Sequence, residues 1–141
     1  VDGTTRRLRL LIVDDSPFMR RVLRLLLEES GRFEIIAEAR DGREGLERAR
    51  RLRPDVILLD RNMPRLDGGE MLRRLRRESD VPVVMVSALP REAEGSHEDG
   101  LFRGVDHVVK EFSNTPLDLT GFARELEKSI LRCWKASRSP A

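Results

Sequence analysis

Four short, mainly apolar stretches in this chain each stop at residues that can do chemistry, and that recurrence limits the folds open to it. Leu8-Arg9-Leu10-Leu11-Ile12-Val13 is followed by Asp14-Asp15, and Val56 to Leu59 by Asp60. Val83 to Val86 is followed by Ser87, and Val105 to Val109 by Lys110. A fifth run, Phe33 to Ala39, lies between the first two. All have strand length, and the stretches between them carry apolar residues at helical spacing. Pro17 to Glu29 places Phe18, Val22, Leu25 and Leu26 on one helical face, and Ser16-Pro17 supplies an N-cap oxygen and a first-turn proline. Asp41 to Leu52 aligns Leu46, Ala49 and Leu52; Asp67 to Ser79 aligns Met71, Leu72 and Leu75; Leu117 to Trp134 aligns Phe122, Leu126, Ile130 and Cys133. The stretch from Pro90 to Gly104 stands where a fourth of five helices belongs. It contains Gly95 and Gly100, each costing roughly 1 kcal/mol in a helix, so a short or irregular helix is expected. Strands alternating with helices predict an α/β domain: a parallel five-stranded sheet, right-handed crossovers and helices on both faces.

A parallel sheet puts the carboxyl ends of its strands on one edge, where open α/β folds bind ligands. Asp14, Asp15, Asp60, Ser87 and Lys110 are therefore expected in one small space. Three carboxylates together repel, and a hard divalent cation relieves that repulsion. Mg²⁺ suits an oxygen-only donor set; zinc is disfavoured because no histidine or cysteine stands beside these aspartates. A carboxylate beside Mg²⁺, an ammonium and a hydroxyl suits phosphoryl transfer, with the carboxylate as nucleophile on phosphorus and the others neutralising phosphoryl oxygens.

The 141 residues suffice for one domain, expected over 8–134, with residues 1–7 and 135–141 as flexible tails. No apolar run reaches the ~18 residues of a membrane helix, and the polar, basic N-terminus lacks a secretory core. The single cysteine, Cys133, permits no internal disulfide and reads as a packing residue, compatible with a cytoplasmic setting. Of 27 basic residues only Lys110, Lys128 and Lys135 are lysines, leaving 24 arginines among 25 acids. This interleaving reads as solvated helix faces rather than a nucleic-acid surface, since no aromatics accompany the basic pairs.

With these motifs in place, the sequence resembles the receiver domains of bacterial two-component response regulators, the family of CheY, and most of all the receiver half of chemotaxis methylesterases of the CheB kind. The matching segments are Val13-Asp14-Asp15-Ser16-Pro17-Phe18-Met19-Arg20, Ala39-Arg40-Asp41-Gly42-Arg43-Glu44-Gly45-Leu46, Pro54 to Asp60 with Met63-Pro64 and Asp67-Gly68, and Val81-Pro82-Val83-Val84-Met85-Val86-Ser87-Ala88. The resemblance implies a flavodoxin-like three-layer sandwich with strand order 2-1-3-4-5. It implies Asp60 as phosphoacceptor and Asp14, Asp15 and Asp60, with the backbone carbonyl of Asn62, as Mg²⁺ ligands. Ser87 and Lys110 would bind the phosphoryl group, with Ala88 leaving room for Ser87 to move. It further implies a cytoplasmic signalling switch rather than an enzyme, with weak self-phosphorylation and self-dephosphorylation at most, a histidine kinase as phosphodonor, and a downstream protein or an output domain not contained in this chain.

Two positions depart from that family pattern. The lysine is usually followed by a proline joined through a cis peptide, whereas Lys110 precedes Glu111; a cis bond there would cost roughly 2.5–4 kcal/mol. His107 stands where the family often carries a rotating Tyr or Phe, which opens a pH-sensitive switch beside the plainer reading of a semi-exposed ring. His97 reads as solvated. The alternatives are a non-switching receiver-like adaptor and a Mg²⁺-dependent phosphatase of the dehalogenase-like class. The latter needs a second aspartate where Asn62 stands, and an amide cannot serve as the general acid.

Overall fold

The computed structural model describes residues 6–61, 63, 66–87, 105–109 and 118–138. Five strands and four helices follow in order: β1 (Leu8–Val13), α1 (Pro17–Glu28), β2 (Phe33–Ala39), α2 (Gly42–Leu52), β3 (Val56–Asp60), α3 (Gly68–Leu75), β4 (Val83–Ser87), β5 (Val105–Val109) and α4 (Asp118–Arg138). All strand pairings are parallel and the sheet order is β2-β1-β3-β4-β5, as the resemblance implied. The helix expected over residues 90–104 lies outside the described residues, so four of the five expected helices are seen. The last helix runs on through Arg138, past the Trp134 at which its apolar pattern ends.

Alternation along each strand splits the core in two. Leu10, Ile12, Leu58, Val84, Val86 and Val108 face α1 and α4, while Leu11, Val13, Ile57, Leu59, Val83 and Met85 face α2 and α3. The inward residues of α4 are those anticipated, Phe122, Leu126, Ile130 and Cys133. Burial pushes the Cys133 thiol up to about 11, in keeping with a packing role.

Helix α1 corrects the sequence reading. Its buried face is Met19, Leu23 and Leu27, whereas Phe18 and Leu25 are exposed and Val22 and Leu26 are half-buried. Seven of the ten residues from Phe18 to Leu27 are apolar, a stripe too wide for periodicity to choose the inward side. The helix start helps to fix the rotation: Ser16 Oγ accepts from the Met19 N–H at 3.1 Å, and Pro17 opens the helix.

The other starts obey the same chemistry. Asp41 accepts from the Glu44 N–H while Glu44 reaches back to the Arg40 N–H, and Asp67 caps α3 through the Glu70 N–H. At the far end of α2, Arg9 of β1 donates to the carbonyls of Leu52 and Arg53, satisfying orphan acceptors.

Candidate functional site

The carboxyl edge is built outward from β1 and β3. Immediately after β1 the chain must turn into α1, and Asp14 shapes that turn. Its N–H donates to the Ala39 carbonyl at 3.0 Å, and its Oδ1 accepts from the Ser16 N–H at 2.9 Å. Asp14 is thus buried while the neighbouring Asp15 is exposed. The cap of α1 is Ser16, so capping does not account for Asp14. Asp60 is the last residue of β3, buried, and opposite Val86 in register, which sets Ser87 one residue farther toward the same edge. Ser87 is buried as well.

One carboxylate oxygen from each of Asp14, Asp15 and Asp60 lies within 4.8 Å of the other two. At that separation each pair of charges repels by about 1 kcal/mol in a water-like dielectric and about 3.5 kcal/mol at an effective dielectric near 20. Three convergent carboxylate oxygens, with no histidine or cysteine grouped with them among the described residues, fit a hard cation that retains water, which matches Mg²⁺ better than zinc. Of the other expected site residues, Asn62 and Lys110 lie outside the described residues, as do Ala88, Glu111 and His97. His107 lies on β5, half-buried and opposite Met85, on the same sheet face as Val105.

Three features of the edge escaped the sequence reading. Arg20, one turn into α1, donates from Nη1 to the Asp14 carbonyl at 2.7 Å and from Nε to Glu38 at 3.1 Å. Arg24 extends this network by joining Glu38 to Glu28. Arg20 therefore ties the turn bearing Asp14 and Asp15 to the neighbouring strand. Gly68 opens α3 so close to β3 that a Cβ on it would stand 2.3 Å from the Asp60 carbonyl oxygen and 2.9 Å from Arg61 Cα. Its N–H donates to the Arg61 carbonyl at 2.9 Å. Gly42 likewise leaves no room for a Cβ beside the Leu66 carbonyl, which accepts from its own N–H. The only advance signals were the segments Arg40-Asp41-Gly42 and Asp67-Gly68, which carry the glycines without the contacts that require them.

Away from the carboxyl edge, Asp106 of β5, paired with Val84, binds α4. Its Oδ2 accepts from Ser129 Oγ at 2.8 Å and from Arg132 Nε at 3.0 Å. Burial pushes its pKa up, but the Ser129 hydroxyl, the His107 N–H and the Arg132 guanidinium outweigh that and hold it below the ordinary range.

Residues 10–119 match the family described as the response regulator receiver domain. The chain is 39% identical over 129 residues to a protein-glutamate methylesterase/protein-glutamine glutaminase of Pyrococcus abyssi, covering 91% of this chain and 34% of that protein. It is 44% identical over 119 residues to the corresponding protein of Symbiobacterium thermophilum, covering 84% and 33%. The chain thus spans about a third of the length of these relatives. Among solved structures, the response regulator domain of Thermotoga maritima CheB superposes with a TM-score of 0.80 at 34% identity, covering 96% of this chain and all of that one. CheY in the CheX–CheY–BeF3–Mg²⁺ complex from Borrelia burgdorferi superposes at 0.71 and 27% identity, covering 89% and 87%. The sequence match, the strand order and the acidic carboxyl edge agree: the chain belongs to the response regulator receiver domain family, with chemotaxis-type relatives.

Proposed function

We propose that the domain is a phosphorylation switch in which Asp60 takes a phosphoryl group from the phosphohistidine of a histidine kinase. The observation that carries this reading is the convergence of Asp14, Asp15 and Asp60 at the carboxyl edge, with Ser87 buried one register position beyond Asp60. A carboxylate oxygen of Asp60 attacks phosphorus as the P–N bond to the kinase imidazole breaks. The bond pair goes to the ring nitrogen, and an aspartyl phosphate remains. Asp14, Asp15 and Asp60, with the Asn62 carbonyl, would hold Mg²⁺; when bound, the ion neutralises charge on the phosphoryl oxygens. Ser87 donates its hydroxyl to one phosphoryl oxygen, and Lys110 pairs with another. The tight packing of Gly68 against the Asp60 backbone and the grip of Arg20 on the Asp14 carbonyl keep the nucleophile and the acidic pair in fixed relation, which is how positioning contributes to rate. The phosphorylated form then shifts a two-state equilibrium read by a downstream protein or output domain. The BeF3 and Mg²⁺ named for the Borrelia burgdorferi complex support this chemistry by likeness.

The test is incubation with Mg²⁺ and acetyl phosphate followed by intact mass, with Asp60→Ala as control. A Mg²⁺-dependent gain of one phosphoryl group, absent in the variant, is expected. A folded protein that binds Mg²⁺ yet takes up neither a phosphoryl group nor beryllofluoride would overturn the reading in favour of a non-switching adaptor.

A further inference from the structure

At the amino edge of the sheet, the far end of β3 from Asp60, residues at the ends of α2 and α3 line a cavity of about 390 Å³. Small-molecule sites span roughly 300–1,000 Å³, so this one suits a ligand near the small end. Its apolar lining includes Ala49, Pro54 and Leu75, all buried, with half-buried Val81 beside them. The charges around it are ordered for an anion. The carboxyl ends of α2 and α3 both lie here, and their bare carbonyls would repel one. Guanidinium groups already occupy the carbonyls of this edge. Arg9 donates to those of Leu52 and Arg53, each at 2.8 Å. Arg76 donates to those of Ser79 at 3.2 Å and Val81 at 2.9 Å. Glu78, the acid lining the cavity, accepts two bonds from Arg50 at 2.8 and 3.0 Å, which offset its charge.

Arg53 remains. Its side chain makes no hydrogen bond or ion pair with the described residues. Its backbone also stands apart: with φ 48° and ψ 67° it is the one non-glycine residue of positive φ among the described residues. Helix ends in this conformation commonly carry glycine, because any other side chain brings strain. Glycine would close α2 equally well, whereas arginine also places a guanidinium at the cavity. We propose that the cavity binds a small monocarboxylate with a hydrocarbon body, its carboxylate on Arg53 and its hydrocarbon against Ala49, Pro54 and Leu75. A planar carboxylate matches the guanidinium fork through two parallel hydrogen bonds. One negative charge suits the site, because a second would meet Glu78 and two helix carboxyl ends without a further uncommitted cation lining the cavity. The site lies away from the acidic edge and does not depend on phosphorylation of Asp60.

Titration of the whole ¹⁵N-labelled chain with sodium octanoate tests this, read from backbone amide shifts. The expected result is saturable shifts at Ala49, Arg53 and Val81 with a Kd on the order of 1 mM. Acetate, which lacks the hydrocarbon, and octylammonium, which reverses the charge, should each bind about tenfold more weakly or worse. Arg53→Gly should weaken octanoate about tenfold, and Arg53→Lys should recover part of the loss. Glycine fits the left-handed backbone, so the thermal midpoint of Arg53→Gly should stay within about 3 °C of the parent, which separates lost binding from lost folding. No saturable shift at these amides up to about 10 mM octanoate overturns the proposal. Equal binding of octylammonium, or equal binding by Arg53→Gly, overturns it in favour of apolar adsorption without charge selection. The same shifts on concentrating the protein alone overturn it in favour of a second copy of the chain as occupant.

Discussion

Replacing Gly68 by alanine adds one carbon where the backbone of β3 already stands. The new Cβ would lie 2.3 Å from the Asp60 carbonyl oxygen, 2.9 Å from Arg61 Cα and 3.1 Å from the Asp60 carbonyl carbon. None of these atoms ends a flexible side chain, so α3 and the end of β3 must separate by about 1 Å to reach ordinary contact. Overpacking of this kind costs about 1–3 kcal/mol, only partly offset by the better helix propensity of alanine. The larger consequence falls on the chemistry, since a misplacement of about 1 Å at a reacting group can lower a rate about 10²-fold. Gly69→Ala is the matched control. Its Cβ would meet Asp67 Oδ1 at 3.5 Å and Arg61 side-chain atoms at 3.6 and 3.8 Å, all ordinary contacts. Gly69→Ala should therefore be neutral or stabilising by up to about 1 kcal/mol. Urea unfolding and acetyl phosphate labelling of both variants measure the two effects. Equal stability and equal labelling rates for Gly68→Ala and Gly69→Ala would refute the assignment of Gly68 as the residue that seats Asp60.

Other perturbations test other parts of the molecule. Asp15→Asn should stabilise the metal-free protein by about 1 kcal/mol through relief of repulsion, yet gain less from Mg²⁺ than the parent, so that the stability order narrows or reverses on adding the ion; equal gains from Mg²⁺ in urea unfolding would contradict the three-carboxylate site. Arg20→Ala should cost about 1–2 kcal/mol and weaken Mg²⁺ binding by loosening the Asp14 turn, with Arg20→Lys recovering part of both, measured by urea midpoint and Mg²⁺ titration. Asp106 has a folded-state pKa held below its ordinary value of 3.8, so its contribution is present above that value and is lost as pH falls through the lower folded value. Asp106→Asn should therefore be less stable than the parent by about 1 kcal/mol at neutral pH, with the gap closing in acid; a gap constant from neutral pH to pH ~2.5 would remove the ionic part of the β5–α4 link.

How far the sequence carried these conclusions depends on the range of each interaction. Strands were legible because β3 and β4 are buried on both faces and read as apolar runs up to their last residue, as β1 does apart from Arg9, and each run is closed by a polar residue at the carboxyl edge. The placement of Asp14, Asp60 and Ser87 followed at once, since parallel strands leave no other edge for them. The rotation of α1 was not legible, because apolar residues cover more of the helix than the core can take. Where periodicity is ambiguous, a three-atom detail such as Ser16 Oγ against the Met19 N–H helps to set which face turns inward. Arg20 and Gly68 were hidden for a different reason: each acts on a backbone carbonyl, of Asp14 or Asp60, and side-chain pattern carries no record of where a carbonyl will point. The same distinction separates the two readings of α1. Phe18 and Leu25 look like core residues in one dimension and become a surface only when Met19, Leu23 and Leu27 are seen to fill the core.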